Sequence, residues 1–327
     1  MISIIIPHHN EDKEVIRPLM NSINSQIGID FNKIELLLCS DVDESPLDNY
    51  DFAEYENLAS RIRKIKSPYK NNPGLSRQAG LDTAIGDYVV FCDADDALYH
   101  LGALRELSEN IERTNADIYR FNFIEEVGSH ETKRRDYLIK RFNWTWVFSK
   151  AYKTEFLRVN NIRFSTELLY HEDSYFNYIA RFKDPKFVDV ESSPFYLWRY
   201  SDTSITRKDD HAYSFLSWDE YINAISLAMR KVIREYHKTC DSDILSLSVQ
   251  SYAMLTNPDY DKFRGDGYDR VEKRYYDFLK EFFPAAFQDE IPNIKRNIAQ
   301  LFFDQRPGFI PEISWHKHVK LLKEKYE

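Results

Sequence analysis

Cysteine is scarce in this chain of 327 residues. Its three copies, Cys39, Cys92 and Cys240, lie far apart. That excludes a disulfide framework and fits a reduced, cytoplasmic protein. Long apolar runs are absent too: no stretch approaches the ~18 residues a membrane span requires. Met1-Ile2-Ser3-Ile4-Ile5-Ile6-Pro7 is apolar but gives way to His8-His9-Asn10, too short and without the basic start of a secretory leader. Positive charge is in deficit, with 44 Lys and Arg against 53 Asp and Glu and a net charge of −9. Such a chain is no general binder of nucleic acid. Internal repeats and low-complexity segments are also missing. Aromatic residues are abundant, at 15% within a hydrophobic total of 43%, which supplies a core and argues against disorder.

The length allows one large domain or two of ordinary size. Ile2 to Ile6 reads as a short buried strand and Val15 to Ser25 as a helix with Ile16, Leu19, Met20 and Ile23 on one face. Ile34 to Cys39 and Ile62 to Ile65 are further strands. Pro73-Gly74 opens a helix through Ala84 that Gly86 stops, and Tyr88 to Cys92 is the next strand. This alternation predicts a Rossmann-like parallel sheet. Next come a helix over Leu101 to Arg113, strands over Ile118 to Ile124 and Trp144 to Tyr152, a helix over Asp173 to Phe182, and a last strand over Phe195 to Tyr200. From about His211 the pattern turns helical: Tyr221 to Tyr236, Ile244 to Met254, Val271 to Phe283, Ile294 to Phe303 and His316 to Lys325. The expected organisation is an α/β domain over residues 1–210 and a helical region over residues 211–327.

The pattern Asp-x-Asp occurs four times, at Asp41/Asp43, Asp93/Asp95, Asp241/Asp243 and Asp259/Asp261. Only Asp93-Ala94-Asp95-Asp96 ends a strongly β-like stretch that follows a helix-like one. Ligands of open α/β sheets bind outside the carboxyl ends of strands. Carboxylates there suit hard cations such as Mg²⁺ and Mn²⁺, which use substrate phosphates as further ligands. Three other segments stand at equivalent places. Pro7-His8-His9-Asn10-Glu11 ends the first strand; its ordinary alternative is a turn with Asn10 as the helix cap. Asp41 ends the second strand, where a carboxylate accepts from a base N–H or merely closes a turn. Arg77 lies in a helix's first turn, where a cation opposes the dipole unless it faces an anion or stacks on a base. His171-Glu172-Asp173 precedes a helix, so Asp173 is either its cap or a general base.

The order of these segments resembles the family 2 glycosyltransferases, which bind nucleotide sugars on a GT-A fold. Ser3 to Glu11 is similar to that family's opening strand and Pro-x-Tyr-Asn turn, with His9 at the aromatic position. Gly74-Leu75-Ser76-Arg77-Gln78-Ala79-Gly80 resembles its Gly-x-x-x-Arg-Asn-x-Gly helix start, with Gln78 for Asn. Phe91 to Asp96 resembles its metal motif. Asn161-Ile162-Arg163-Phe164 and Tyr170-His171-Glu172-Asp173 resemble the segment carrying its Glu-Asp base motif, and Trp198-Arg199-Tyr200 with Thr203-Ser204-Ile205 its closing strand and loop. The second strand departs: Ser40-Asp41-Val42-Asp43 stands where Asp-Asp-Gly-Ser is usual. The likeness covers about residues 1 to 207.

The resemblance implies a metal-dependent, inverting sugar transfer from a nucleotide sugar, with uridine the expected nucleoside. Pro7, His9, Asn10, Glu11, Asp41 and Arg77 would hold the donor. Asp93, Ala94, Asp95 and Asp96 would take its ribose, diphosphate and sugar, with Mn²⁺ or Mg²⁺ on Asp95 and Asp93. Asp173 would deprotonate the acceptor hydroxyl. Glu172, Trp144, Trp146 and Arg199 are weaker candidates on the acceptor side. The loop Ser201 to Arg207 would close over the donor, with Arg199 or Arg207 near the diphosphate. The expected acceptor is a glycan or cell-surface polymer. The cluster Lys133-Arg134-Arg135 with Lys140-Arg141 leaves room for a phosphate-rich acceptor, including a hydroxylated base of nucleic acid. Sugar-nucleotide pyrophosphorylases are set aside because Pro7 to Glu11 lacks the glycine-rich phosphate loop they need. A non-catalytic nucleotide-sugar-binding or scaffold protein is disfavoured by Asp93, Asp95 and Asp173 occurring in one chain. The C-terminal helices are expected to pack, grip acceptor or self-associate.

Overall fold

In the computed structural model, the described residues are 1–128, 134–201, 212–256, 266–288 and 313–327. The chain divides into two compact units, Met1–Arg207 and Lys208–Glu327.

The first unit is built on β1 (Ile2–His8), apolar except for Ser3 and His8 and buried along its whole length. It has parallel neighbours on both sides, β2 (Ile34–Ser40) and β4 (Tyr88–Phe91), and β3 (Ile62–Lys66) continues beyond β2. A strand covered on both faces needs an uninterrupted apolar sequence, which Ile4, Ile5, Leu36, Leu37, Val89 and Val90 provide at 0% exposure. Helix α1 (Lys13–Asn24) buries Ile16, Leu19, Met20 and Ile23, the four residues of its predicted apolar face. Helix α2 (Pro73–Thr83) begins at its proline and is capped by Asn72, whose side chain accepts from the Leu75 N–H.

The sheet is not parallel throughout. Its seven strands run β10-β6-β9-β4-β1-β2-β3, where β6 is Ile118–Phe121, β9 is Lys150–Lys153 and β10 is Phe187–Val190. Strand β9 runs antiparallel to both β4 and β6. The expected strand over Ile118 to Ile124 is two strands in different sheets. At Asn122 the chain leaves β6, and the Asn122 carbonyl accepts from Phe195 N–H at 2.9 Å and Ser149 Oγ at 3.1 Å. Beyond it β7 (Phe123–Gly128) enters a four-stranded sheet ordered β5-β11-β7-β8, with β5 Ala97–Leu98, β8 Arg135–Lys140 and β11 Tyr196–Trp198. The expected strand from Trp144 shrinks to β9. Asn143 Oδ1 accepts from the N–H groups of Thr145 (2.8 Å) and Trp146 (3.1 Å), a local turn that takes these amides away from any ladder.

Among the described residues this unit also has the α-helices α3 (Ala103–Thr114), α4 (Thr154–Val159) and α5 (Glu172–Arg181). The second unit is helical. Its described helices are α6 (Ala212–Tyr236), α7 (Asp241–Thr256), α8 (Asp266–Phe282) and α9 (Trp315–Tyr326). Buried Asp219 on α6 pairs with Arg270 (2.9 Å) and Arg274 (3.0 Å) of α8, and Trp315 Nε1 donates to Tyr275 Oη at 3.1 Å. The expected helix Ile294 to Phe303 and the pair Asp259/Asp261 lie outside the described residues. Among the described residues, no helix is long and apolar enough to cross a membrane.

Candidate active site

Because β1, β2 and β4 are parallel neighbours, their following loops gather at one edge of the sheet. The β1 loop presents His9, whose Nδ1 lies 2.6 Å from Asp41 Oδ1 in the β2 loop. Asp41 is almost fully buried, while the His9 side chain is 41% exposed. Pro7 is buried within β1 and Asn10 is exposed. Glu11 accepts from the His9 N–H at 2.5 Å. The cap of α1 is Asp12, accepting from Glu14 N–H (2.9 Å) and Val15 N–H (3.1 Å), so Asn10 does not serve as the cap. Neighbouring His8 is turned inward against Ser45 Oγ at 3.0 Å, and burial pushes its pKa down to about 4, which makes it a neutral packing group.

Helix α2 brings Arg77 inward, where it is 7% exposed. One guanidinium nitrogen donates to Asp93 Oδ1 at 2.5 Å and another to Glu172 Oε1 at 2.7 Å. The helix begins at Pro73, so Arg77 lies just past its first turn, and the anions it faces are the protein's own carboxylates. Gly74 permits the approach of α5: a Cβ there would lie 2.6 Å from Glu172 Cγ. Gln78 Oε1 accepts from Phe164 N–H at 2.9 Å, which fastens the segment leading to α5 onto α2.

The acidic motif follows β4. Asp93 is 31% exposed at its side chain. Its N–H donates to Tyr196 Oη (2.9 Å), and that hydroxyl donates to Asp96 Oδ2 (2.8 Å). Asp96 Oδ1 accepts from Arg199 N–H at 2.8 Å, and Arg199 Nη1 donates to the Asp95 carbonyl at 2.9 Å. Asp96 is 1% exposed and Ala94 3%, so these two support the loop from behind. Burial, with Asp95 and Asp93 close by, pushes Asp96 well above the usual carboxylate range. Asp95 is held differently. Burial, then Asp93 and Glu11, raise its pKa to about 6. A partly buried carboxylate facing two like charges is relieved by a cation, and oxygen donors fit a hard divalent one. Among the described residues no group of three or more His, Cys, Asp or Glu is arranged to hold a metal ion. A cation on Asp95 and Asp93 would therefore complete its shell from substrate oxygens and water.

Glu172 and Asp173 open α5. Burial and then Asp173 raise Glu172 to about 7; burial above all raises Asp173 to about 6, against the pull of Arg77 and Lys150. Ser174 N–H donates to Asp173 Oδ1 at 2.7 Å. The N-cap position of α5 is His171, in the left-handed region at φ 56°, so Asp173 is not the cap. Asn177, one turn on, donates to the Thr145 carbonyl (3.1 Å) and accepts from Tyr152 Oη (2.7 Å), which straps the Trp144–Trp146 segment to this helix. Both tryptophans are packed. Trp144 stands edge-on to Phe187 with Arg120 Cζ 4.4 Å over its ring, and Trp146 lies 5.2 Å from Trp198. The basic cluster is matched by acids: Arg134 to Asp136 (3.0 Å), Lys140 to Glu125 (3.1 Å) and Arg141 to Glu191 (3.4 Å). Lys133, and all of the closing loop beyond Ser201 including Arg207, lie outside the described residues. Tyr196 and Asn177 carry no motif in the sequence; their roles come from partners 100 and 32 residues away.

The mixed α/β sheet thus gathers these acids and His9 at its carboxyl edge. The sequence profile described as Glycosyl transferase family 2 matches residues 3–175. The chain belongs to that family and is a glycosyltransferase. It is similar to the uncharacterized glycosyltransferase EpsJ of Bacillus subtilis, 27% identical over 229 residues, 63% of each chain, so the match spans under two thirds of that relative. It is also 28% identical over 184 residues, 53% of this chain and 31% of the other, to the poly(ribitol-phosphate) β-N-acetylglucosaminyltransferase TarS of Staphylococcus aureus. The structure of TarS residues 1–349 with UDP-GlcNAc superposes at TM-score 0.67 and 15% identity, covering 99% of this chain and 91% of that one. The mannosyltransferase PcManGT of Pyrobaculum calidifontis, solved with GDP-Man and Mn²⁺, superposes at TM-score 0.52 and 14% identity, covering 98% and 84%. The expected GT-A core with a helical C-terminal region is thereby met.

Proposed function

We propose that this glycosyltransferase is metal-dependent and inverting, moving a sugar from a UDP-sugar to a hydroxyl of a glycan or cell-surface polymer. The observation that carries the reading is the linked set of acids. Asp95 and Asp93 stand at the strand edge, and Arg77 ties Asp93 to Glu172, next to Asp173. His9 and Asp41 would hold the base, the ring stacking and the carboxylate accepting the uracil N–H. Asp93 and Asp95 would hold the cation, whose chemistry there is neutralisation of the leaving diphosphate. Asp173 would take the acceptor's proton as its oxygen attacks the anomeric carbon from the face opposite the diphosphate. The bond to the diphosphate oxygen breaks with its electron pair, and no protein nucleophile is required. A raised pKa favours this role, because a carboxylate nearer neutrality is a stronger base. The UDP-GlcNAc bound by TarS, its polymer acceptor and the Mn²⁺ of PcManGT support the reading by analogy.

Calorimetry with UDP and Mn²⁺ tests the donor side. Wild-type protein should bind in a metal-dependent way and Asp95→Ala should lose that dependence; unchanged binding removes the metal role. For the base, Asp173→Asn should lower UDP release from UDP-sugars by at least about a hundredfold with donor affinity intact. Wild-type turnover in that variant refutes the assignment.

A further inference from the structure

Lys150 opens β9 and is 2% exposed. Its ammonium donates to the Trp146 carbonyl. In the sheet it stands directly opposite Arg120 of β6, and Arg120 stands opposite Asp189 of β10. The three charges form one row across adjacent strands. Arg120 and Asp189 neutralise each other through two parallel hydrogen bonds of 2.7 Å. The row therefore keeps one uncompensated buried cation, Lys150, beside a second cation. Like charges paired across strands are unfavourable, and a buried ammonium without a counter-charge is costly. Packing alone gives no reason for a lysine here.

Helix α5 packs on the segment that Lys150 holds. Asn177 of that helix holds the Thr145 carbonyl and Lys150 holds the next one, at Trp146. Asp173 lies one turn before Asn177 on the same helical face. We propose that Lys150 is a positioning residue for the base: its buried ammonium is the counter-charge that keeps Asp173 ionised to receive the acceptor's proton. This rests on the reading of Asp173 as base and adds the group that keeps it ionised.

The fields agree. Burial and then Arg120 push Lys150 down to about 7, while Asp173 and Asp189 pull it back up. Around Asp173 stand Arg77, Asp93, Lys150 and the Ser174 N–H, with Glu172 adjacent in sequence. Arg77 is already shared between Asp93 and Glu172, and Asp189 is already paired with Arg120, which leaves Lys150 to act on Asp173.

The test measures UDP release from UDP-GlcNAc with Mn²⁺ against pH, and titrates Asp173 in ¹³C-aspartate-labelled protein, its signal assigned by its loss in Asp173→Asn. In Lys150→Met, the acid limb of turnover and the Asp173 titration should both move up by about one pH unit, slowing turnover roughly tenfold below the limb, while affinity for UDP is unchanged. Lys150→Arg should return the limb toward its wild-type place. If the Met variant does not fold, Lys150→Gln, whose amide still donates to the Trp146 carbonyl, carries the same expectation. An unmoved limb and titration, with Asp173→Asn inactive, overturn the role of Lys150 and leave the base in place. Wild-type release by Asp173→Asn overturns both, since no base would then remain to be held.

Discussion

Asp95 carries a cost that its neighbours impose. Its pKa stands at about 6 in the folded chain against 3.8 for the free side chain, so the folded state binds more protons than the unfolded one between these values. Stability from this group is therefore present below about pH 4 and is lost as pH rises through about 6. At pH 8 without metal, Asp95→Asn should raise the thermal midpoint by a few degrees, about 2 kcal/mol. A midpoint that falls or stays put would show that Asp95 is already compensated in the apo protein. The same substitution should remove any gain in stability on adding Mn²⁺ with UDP. At this scale the sequence was informative where position did the work. Asp41, Asp93 and Asp95 come to the carboxyl edge, and Glu172 and Asp173 to the start of α5, which Arg77 ties to Asp93. It was silent where a partner decides. Asp96 sits in the same tetrapeptide as Asp95 yet faces inward, because Tyr196, a hundred residues on, offers it a hydroxyl.

Among the elements, α2 and α5 are joined through the space that Gly74 leaves. A methyl group there meets Glu172 Cγ at 2.6 Å and Cβ at 3.0 Å, both close to the backbone of α5. Gly74→Ala should destabilise the chain by about 1–3 kcal/mol in denaturant unfolding and should lower turnover as well, because Glu172 and Asp173 move together. Unchanged stability would mean that α5 has slack at its start. Helices read well from the sequence because capping and apolar faces are local; the face of α1 was given by Ile16, Leu19, Met20 and Ile23. Strands read less well. Asn122 and Asn143 end or prevent pairing through pairs of hydrogen bonds to chain segments or turns, and an apolar run gives no sign of such bonds. The direction of β9 was equally hidden, since a four-residue strand carries no mark of being parallel or antiparallel.

For the whole molecule, the first unit carries the proposed donor-side acids at one sheet edge, with the proposed base Asp173 at the start of α5, so donor binding should leave a compact footprint. Hydrogen exchange with UDP and Mn²⁺ should slow in peptides covering residues 7–12, 40–45, 72–78 and 92–97, with β8 unchanged as an internal reference. Protection centred on β8 instead would move the site to that edge strand and contradict the donor assignment. The net charge of −9 need not oppose a diphosphate, because under the proposed reading a cation and local donors would set the field at the sheet edge.

The phenol of Tyr196 has a consequence for where the working catalytic piece ends. The family profile stops at residue 175, after Asp93, Asp95 and Asp173. A chain cut there would hold Asp93, Asp95 and Asp173 and still lack the hydroxyl that steadies the Asp93 amide and the Arg199 backbone that closes around Asp96. The stretch by which the family is recognised is thus shorter than the stretch that completes its acidic loop, and an engineered minimal transferase must keep β11.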